Sequence, residues 1–215
     1  MPTRVVHHAE ALGWLCENAV PHGSSVITSL PDLSELAPMT LPEWRLWFID
    51  AAKRVMSACP DDGISLFYQT DIIDEGVWID KGHLVQTAAD ELQMPLLWHR
   101  IVCRMAPGTP HFGRPAYSHL LAFSRTVKPL PGHSRRDVLP DTGEMTWSRA
   151  MGVAACVEAC RFVQSHTKSH TIVDPFCGHG TVLAVANAMG MDAVGVELSR
   201  KRVKKAKALK VALEP

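Results

Sequence analysis

The ten residues Ile172-Val173-Asp174-Pro175-Phe176-Cys177-Gly178-His179-Gly180-Thr181 constrain the fold of this chain more than any other stretch. A β-branched run ends in an acid, passes through a Gly-x-Gly turn and opens onto a helical pattern over 182–189. Two positions without a Cβ let the backbone turn tightly and approach a ligand closely, with the amides of a helix N-terminus facing it. About 20 residues on, Ala193-Val194-Gly195-Val196-Glu197 reads as a second buried strand ending in a carboxylate, the usual partner of ribose hydroxyls. Strand, bend, helix, strand and terminal acid follow one another in the order a Rossmann-like, doubly wound α/β sheet requires.

Asp174-Pro175-Phe176-Cys177-Gly178-His179-Gly180-Thr181 resembles the D-P-F-x-G-x-G-T signature of S-adenosylmethionine-dependent amino-methyltransferases. More narrowly it is similar to the circularly permuted group that carries this motif near the C-terminus. The resemblance implies a seven-stranded sheet, mostly parallel with one antiparallel hairpin. It also implies S-adenosylmethionine as cofactor. Asp174, Pro175, Phe176, Cys177, Gly178, Gly180 and Thr181 would shape its pocket, Asp174 near the methionine amino group, and Glu197 would hold the ribose.

A chain of 215 residues is expected to form one domain with a core of its own. The resemblance divides it into a catalytic half (1–125), a linker (126–147) and a cofactor half (148–215). Lysines plus arginines equal aspartates plus glutamates, so no global field recruits nucleic acid and any basic footprint is local. The six cysteines show no C-x-x-C pair and no metal spacing, and Cys156 and Cys160 share a helix face as core residues. No metal is expected. With neither a signal peptide nor a membrane-length apolar run, an intracellular location, cytoplasmic or nuclear, is the default, with no membrane contact.

Near the head of the chain, Ser25-Val26-Ile27-Thr28 reads as a buried strand, followed by Ser29-Leu30-Pro31-Asp32. By position this turn resembles the family's catalytic tetrad, [Asp/Asn/Ser]-Pro-Pro-[Tyr/Phe/Trp]. The lone pair of an exocyclic base amine is delocalised into the ring. A side-chain oxygen and a backbone carbonyl that accept its two N–H bonds free that lone pair, while the aromatic residue stacks on the flipped-out base. On that resemblance Ser29 would supply the oxygen and Leu30 the carbonyl, and Pro31 matches the pattern. Asp32 departs from the pattern: it accepts an amine hydrogen, acts as a base, or caps the helix that follows. Where the family places an acid for the adenine amine, this chain has His7-His8, with Glu10 as a substitute or as part of a solvated helix face.

Helical patterns are expected over 8–18, 40–58, 81–93, 150–164 and 199–213, and strands over 64–69, 96–105 and 117–124. The last two form the hairpin that the resemblance implies. Tyr68, Gln69 and Asp71 would share the sheet edge of Ser29. The Gly/Pro-rich segment 106–115, with His111 and Arg114, reads as a loop, and the linker carries Lys128, Arg135 and Arg136. Ser148 and Met151 resemble the residues lining the methionine end of the cofactor.

The activity implied is methyl transfer to an exocyclic amine of a nucleic-acid base. RNA or single-stranded, flipped sites are expected ahead of duplex DNA, because so little protein is left to grip a duplex. Two other readings remain. One is a degenerate cofactor-binding subunit that supports a protein partner supplying substrate recognition, and the other is an N-methyltransferase for proteins or small molecules.

Overall fold

The computed structural model describes residues 1–36, 38–110, 113–129 and 136–213. His111 and Arg135 lie outside them. The elements are β1 (Arg4–His8), α1 (Ala11–Glu17), β2 (Ser24–Thr28), α2 (Leu41–Ala58), β3 (Ser65–Gln69), β4 (Ile72–Asp74) and β5 (Val77–Ile79). They continue with α3 (Lys81–Glu91), β6 (Leu96–Cys103), β7 (Tyr117–Phe123), β8 (Val138–Leu139), α4 (Val153–His166), β9 (Thr171–Asp174), α5 (Thr181–Ala188), β10 (Asp192–Glu197) and α6 (Arg200–Ala208).

Among the described residues the main sheet runs β1-β10-β9-β2-β3-β7-β6-β8, with β4 and β5 in a separate two-stranded ribbon. The strands from β1 to β3 are parallel, and the β6–β7 hairpin is antiparallel, as expected. The eighth strand, β8, exceeds the expected seven: two linker residues pair with β6, Ile101 opposite Val138. Two residues carry no legible period, and the 72–79 ribbon is equally short.

Helices cover both faces. Ile172 packs with α4, α5 and α6 on one side, while its neighbour Val173 packs with α2 and α3 on the other. A strand buried on both faces needs an unbroken apolar run, which explains why 171–173 reads as strand without alternation. Trp44, Phe48, Ala51, Ala52, Val55 and Met56 form the buried stripe of α2. Each large side chain in that stripe contributes about 1.5–3 kcal/mol of transfer free energy. Thr40 and Glu43 start the helix by reciprocal bonds, Thr40 N–H to Glu43 at 2.8 Å and Glu43 N–H to the Thr40 hydroxyl at 3.5 Å.

Two local expectations change. Helix α6 stops at Ala208, short of the 199–213 pattern. The Arg4 guanidinium takes the carbonyls of Ala206 and Leu209 at 2.9 and 2.6 Å, a cation closing the negative end of a helix. Glu10 is the N-cap of α1, accepting the Leu12 and Gly13 amides at 3.0 and 2.6 Å, so its carboxylate is spent on the helix. Cys156 and Cys160 are fully buried core residues, and burial pushes the Cys160 thiol up to about 12.

Candidate active site

The parallel pairing of β2 with β9, Val26 opposite Val173, brings the Ser29 turn and the glycine bend to one sheet edge. The Thr28 hydroxyl donates to Asp174 Oδ1 at 2.7 Å, and the Phe176 amide donates to the same oxygen at 3.1 Å. Asp174 is buried and has no cation partner among the described residues. Burial pushes its carboxyl up to about 7 despite those two donors.

The bend adopts the backbone its glycines allow: Gly178 has φ +54° and Gly180, the N-cap of α5, has φ +84°. The Cys177 amide binds the Val196 carbonyl at 3.0 Å, which ties the bend to β10. Cys177 and Pro175 are buried, and burial raises the Cys177 thiol. Phe176 turns towards α2 and meets Trp47 edge-on, ring centroids 6.2 Å apart. Thr181 is buried, its hydroxyl 2.5 Å from that of Thr146. Trp147 lies along the bend, its Cζ2 3.0 Å from where a Cβ on Gly178 would stand, and stacks on His179 at 4.3 Å. Glu197 ends β10 and accepts the Ser199 amide at 2.7 Å through one oxygen. Its other oxygen accepts no hydrogen bond among the described residues.

These residues fit S-adenosylmethionine. Asp174 is a buried carboxylate lacking a cation among the described residues and Glu197 has an oxygen to spare, whereas the positions a Cβ would take at Gly178 and Gly180 face Trp147 and Ala206. Asp174 would hold the methionine ammonium and Glu197 the ribose hydroxyls.

The Ser29 turn borders a cleft lined by Ser29, Leu30, Asp32, Tyr68, Thr70, Lys81, Arg104, Arg114, Ser148 and Arg149, among others. Ser29 is half-buried and its hydroxyl has no partner among the described residues. Ser148, expected beside the cofactor, lines this cleft. Tyr68 does too, its hydroxyl 3.2 Å from that of Thr142. Met151 is buried in the core.

Asp32 has the strongest partners of the four turn residues. The ammonium of Lys81, 2% exposed, meets its Oδ1 at 2.6 Å, and Arg114 meets its Oδ2 at 2.8 Å. Lys81 also reaches the Leu30 carbonyl at 3.5 Å. Burial pushes the Lys81 ammonium down while Asp32 pulls it back up. The carbonyl and the acid assigned by sequence to the acceptor amine thus share one lysine, and Asp32 precedes a single 3₁₀ turn, Leu33–Glu35, rather than a full helix. Sequence reasoning missed Lys81. The available signal was its place in the first turn of α3, where the helix dipole disfavours a cation.

Gln69 is fully buried, and both its amide atoms lack a hydrogen-bond partner among the described residues. Asp71 lies away from the cleft and accepts from the Lys81 amide at 2.8 Å, Trp78 at 2.9 Å and His119 at 3.0 Å. Burial alone would raise its carboxyl, but the His119 contacts and the other donors bring it below the usual carboxylate range. Asp71, Asp80 and His119 place donor atoms within 4.8 Å of one another. Those atoms are committed to each other, to Trp78 and to backbone amides, so they form a hydrogen-bonded cluster fastening the β4–β5 ribbon.

Comparison with known proteins bears on the fold. The N6/N4 methylase family, described as DNA methylase, matches residues 159–208. No protein of curated function matches in sequence. The cytosine-N4-specific PvuII DNA methyltransferase superposes with a TM-score of 0.74 at 15% identity, over 100% of this chain and 89% of that one. TTHA0409 of Thermus thermophilus, provisionally assigned as a DNA modification methylase and solved with S-adenosyl-L-methionine, gives 0.70 at 20% identity, over 95% and 92%. The M1.HpyAVI complex with the same cofactor gives 0.65 at 13%, over 95% and 98%. Among the described residues no helix is long and apolar enough to cross a membrane. The chain therefore has the fold of the class I S-adenosylmethionine-dependent amino-methyltransferases, and its residues 159–208 match the N6/N4 DNA methylase family.

Proposed function

We propose that this protein transfers a methyl group from S-adenosylmethionine to an exocyclic amino group of a nucleic-acid base, with the catalytic half (1–125) preceding the cofactor half (148–215) in permuted order. The observation that carries this reading is the join between the two loops. Asp174, a buried carboxylate with no cation, is hydrogen-bonded to Thr28, the residue next to Ser29. A methionine ammonium on Asp174 puts the cofactor beside the serine hydroxyl.

The cofactor, when bound, supplies an electrophilic sulfonium methyl. The chain's own part is to seat and orient. Asp174 pairs with the ammonium, Glu197 accepts from the ribose, and the Ser29 hydroxyl accepts one hydrogen of the acceptor amine, so that the nitrogen lone pair turns toward the methyl group. DNA is preferred to RNA as the acceptor, since the relatives of this fold are DNA methylases; the expectation of RNA finds no support among them.

Binding of S-adenosylmethionine by calorimetry, weakened by Glu197→Ala, tests the cofactor half. Tritium-methyl transfer to pooled DNA, RNA and protein, lost in Ser29→Ala, tests the rest. Transfer confined to protein would refute the nucleic-acid assignment.

One feature favours a second reading, in which the chain binds cofactor and supports a partner without transferring methyl. No aromatic residue stands at position 32, and Lys81 occupies the Leu30 carbonyl. Cofactor binding without transfer to any pool would select it.

A further inference from the structure

We propose that the cleft beside Ser29 holds an oxyanion carried by the acceptor, seated on Arg104 and on the cations around Asp32. The proposal rests on the reading that the acceptor enters at Ser29, and names what else that acceptor carries.

The cleft is strongly unbalanced in charge. Lys81, Arg104, Arg114 and Arg149 line it against two carboxylates, Asp32 and Glu35. Glu35 is matched by Arg149 at 2.9 Å. Asp32 faces two cations at once, Lys81 at 2.6 Å and Arg114 at 2.8 Å. Arg104 has no acidic partner among the described residues, and its Nη1 is buried without a hydrogen bond. A buried guanidinium nitrogen without an acceptor is costly, and two surplus positive charges around one narrow cleft deepen that cost. A single oxyanion would supply the missing acceptor for Arg104 and the second negative charge for the cations at Asp32.

Topology explains why the cations meet there. Arg104 directly follows β6, which runs parallel to β3 because both pair antiparallel with β7, so Arg104 emerges at the same edge as Ser29. Lys81 reaches the turn from α3 below, and Arg114 from the loop before β7. Guanidinium forks match the planar, multi-oxygen geometry of phosphate and carboxylate. The replacement of a stacking aromatic by Asp32 has a matching consequence: the turn grips its acceptor by charge where the family tetrad grips by stacking.

Two sources share this chemistry, the phosphate of a nucleotide and the carboxylate of a small amine. Calorimetry on the full chain with inorganic phosphate and, separately, acetate distinguishes them. Saturable binding is expected for at least one anion, weakened about tenfold by Arg104→Met and several-fold by Arg114→Gln, the loss of one charge-assisted fork in each case. Tighter phosphate, together with adenosine 5′-monophosphate binding better than adenosine, assigns a nucleotide. Tighter acetate assigns a carboxylate-bearing amine. Arg114→Gln alters an exposed side chain and repeats the test if Arg104→Met does not fold. Binding of neither anion, or binding that both variants leave unchanged, overturns the proposal. S-adenosylmethionine titrated in parallel separates the two readings. Cofactor binding without anion binding sinks only this inference, whereas anion binding without cofactor binding sinks the methyltransferase reading and leaves the anion site standing.

Discussion

The Thr28 hydroxyl donates a 2.7 Å hydrogen bond to the Asp174 carboxylate across 146 residues of sequence, and through it the two loops of the site hold one geometry. Asp174 keeps only the Phe176 amide, at 3.1 Å, if that hydroxyl is removed. Thr28→Val preserves the shape of a side chain with no exposed surface and deletes the donor. The expected loss is about 1–3 kcal/mol, the range from a neutral to a charge-assisted hydrogen bond, read as a lower denaturation midpoint with an unchanged m-value. The same variant should weaken S-adenosylmethionine binding.

On the proposed reading, in which Asp174 holds the methionine ammonium, its raised carboxyl makes cofactor binding depend on pH. The folded protein holds this proton up to about pH 7, while the unfolded chain releases it near the ordinary aspartate value of 3.8. Taken alone, this group therefore favours folding most below pH 4, loses that contribution as pH rises toward 7, and is flat above. An ammonium ligand needs the carboxylate, so binding must expel the proton below pH 7. S-adenosylmethionine affinity should rise about tenfold per pH unit between pH 5 and 7 and level off above. Asp174→Asn imitates the protonated state and should bind weakly with no such slope; calorimetry across pH 5–8 decides.

The Asp32–Lys81 pair should behave as a unit. Among the described residues Lys81→Met leaves Asp32, 8% exposed, only the exposed Arg114 as a cation partner, which does not replace the buried 2.6 Å contact. The expected cost is about 3 kcal/mol, the usual penalty for breaking a buried ion pair. Lys81→Met combined with Asp32→Leu should recover much of that loss, giving a strongly non-additive double-mutant cycle in chemical denaturation. Additive losses would mean that the 2.6 Å contact does not bind the two charges energetically.

The strand–bend–helix–strand unit over 171–197 was legible because its signals are local. Asp174, Gly178, Gly180 and Glu197 lie in one strand–bend–helix–strand unit whose apolar runs and glycines carry their own structural meaning. The cleft beside Ser29 is assembled from separate stretches, around Ser29, Lys81, Arg104, Arg114 and Ser148; sequence singled out the Ser29 turn for the acceptor and Ser148 for the cofactor, and left Lys81 and Arg104 unmarked. Lys81 read as a helix start, although Asp32 in a turn beside a buried strand required a counterion from somewhere. Arg104 read as the end of a strand, since nothing in its neighbours reveals that its guanidinium lacks an acceptor. Glu10 misled in the opposite direction: an acid at a helix start is ordinarily a cap, and here it is one. The ribbon and β8 were missed because two- or three-residue strands lie below the length at which alternation exists.

The two left-handed glycines that flank α5 separate backbone strain from steric closeness. Gly180 and Gly190 both have φ +84°. A Cβ on Gly190 would meet nothing within 4 Å, whereas one on Gly180 would stand 2.8 Å from the Cα of Ala206 in α6. Backbone cannot give way as a flexible side chain does. Gly190→Ala should therefore cost only the left-handed conformation, about 1–2 kcal/mol. Gly180→Ala carries that same strain plus the displacement of α6 from β1 and β10, so its loss should exceed that of Gly190→Ala by at least about 1–3 kcal/mol, an overpacking cost. Thermal denaturation of the two variants side by side makes the comparison, and S-adenosylmethionine titration extends it. Gly190→Ala should bind the cofactor as the parent does, while Gly180→Ala should bind it poorly even where it remains folded, because the clash with Ala206 also shifts the bend at the N-terminus of α5. Equal stability losses for the two variants would show that α6 yields freely and that Gly180 serves the turn alone.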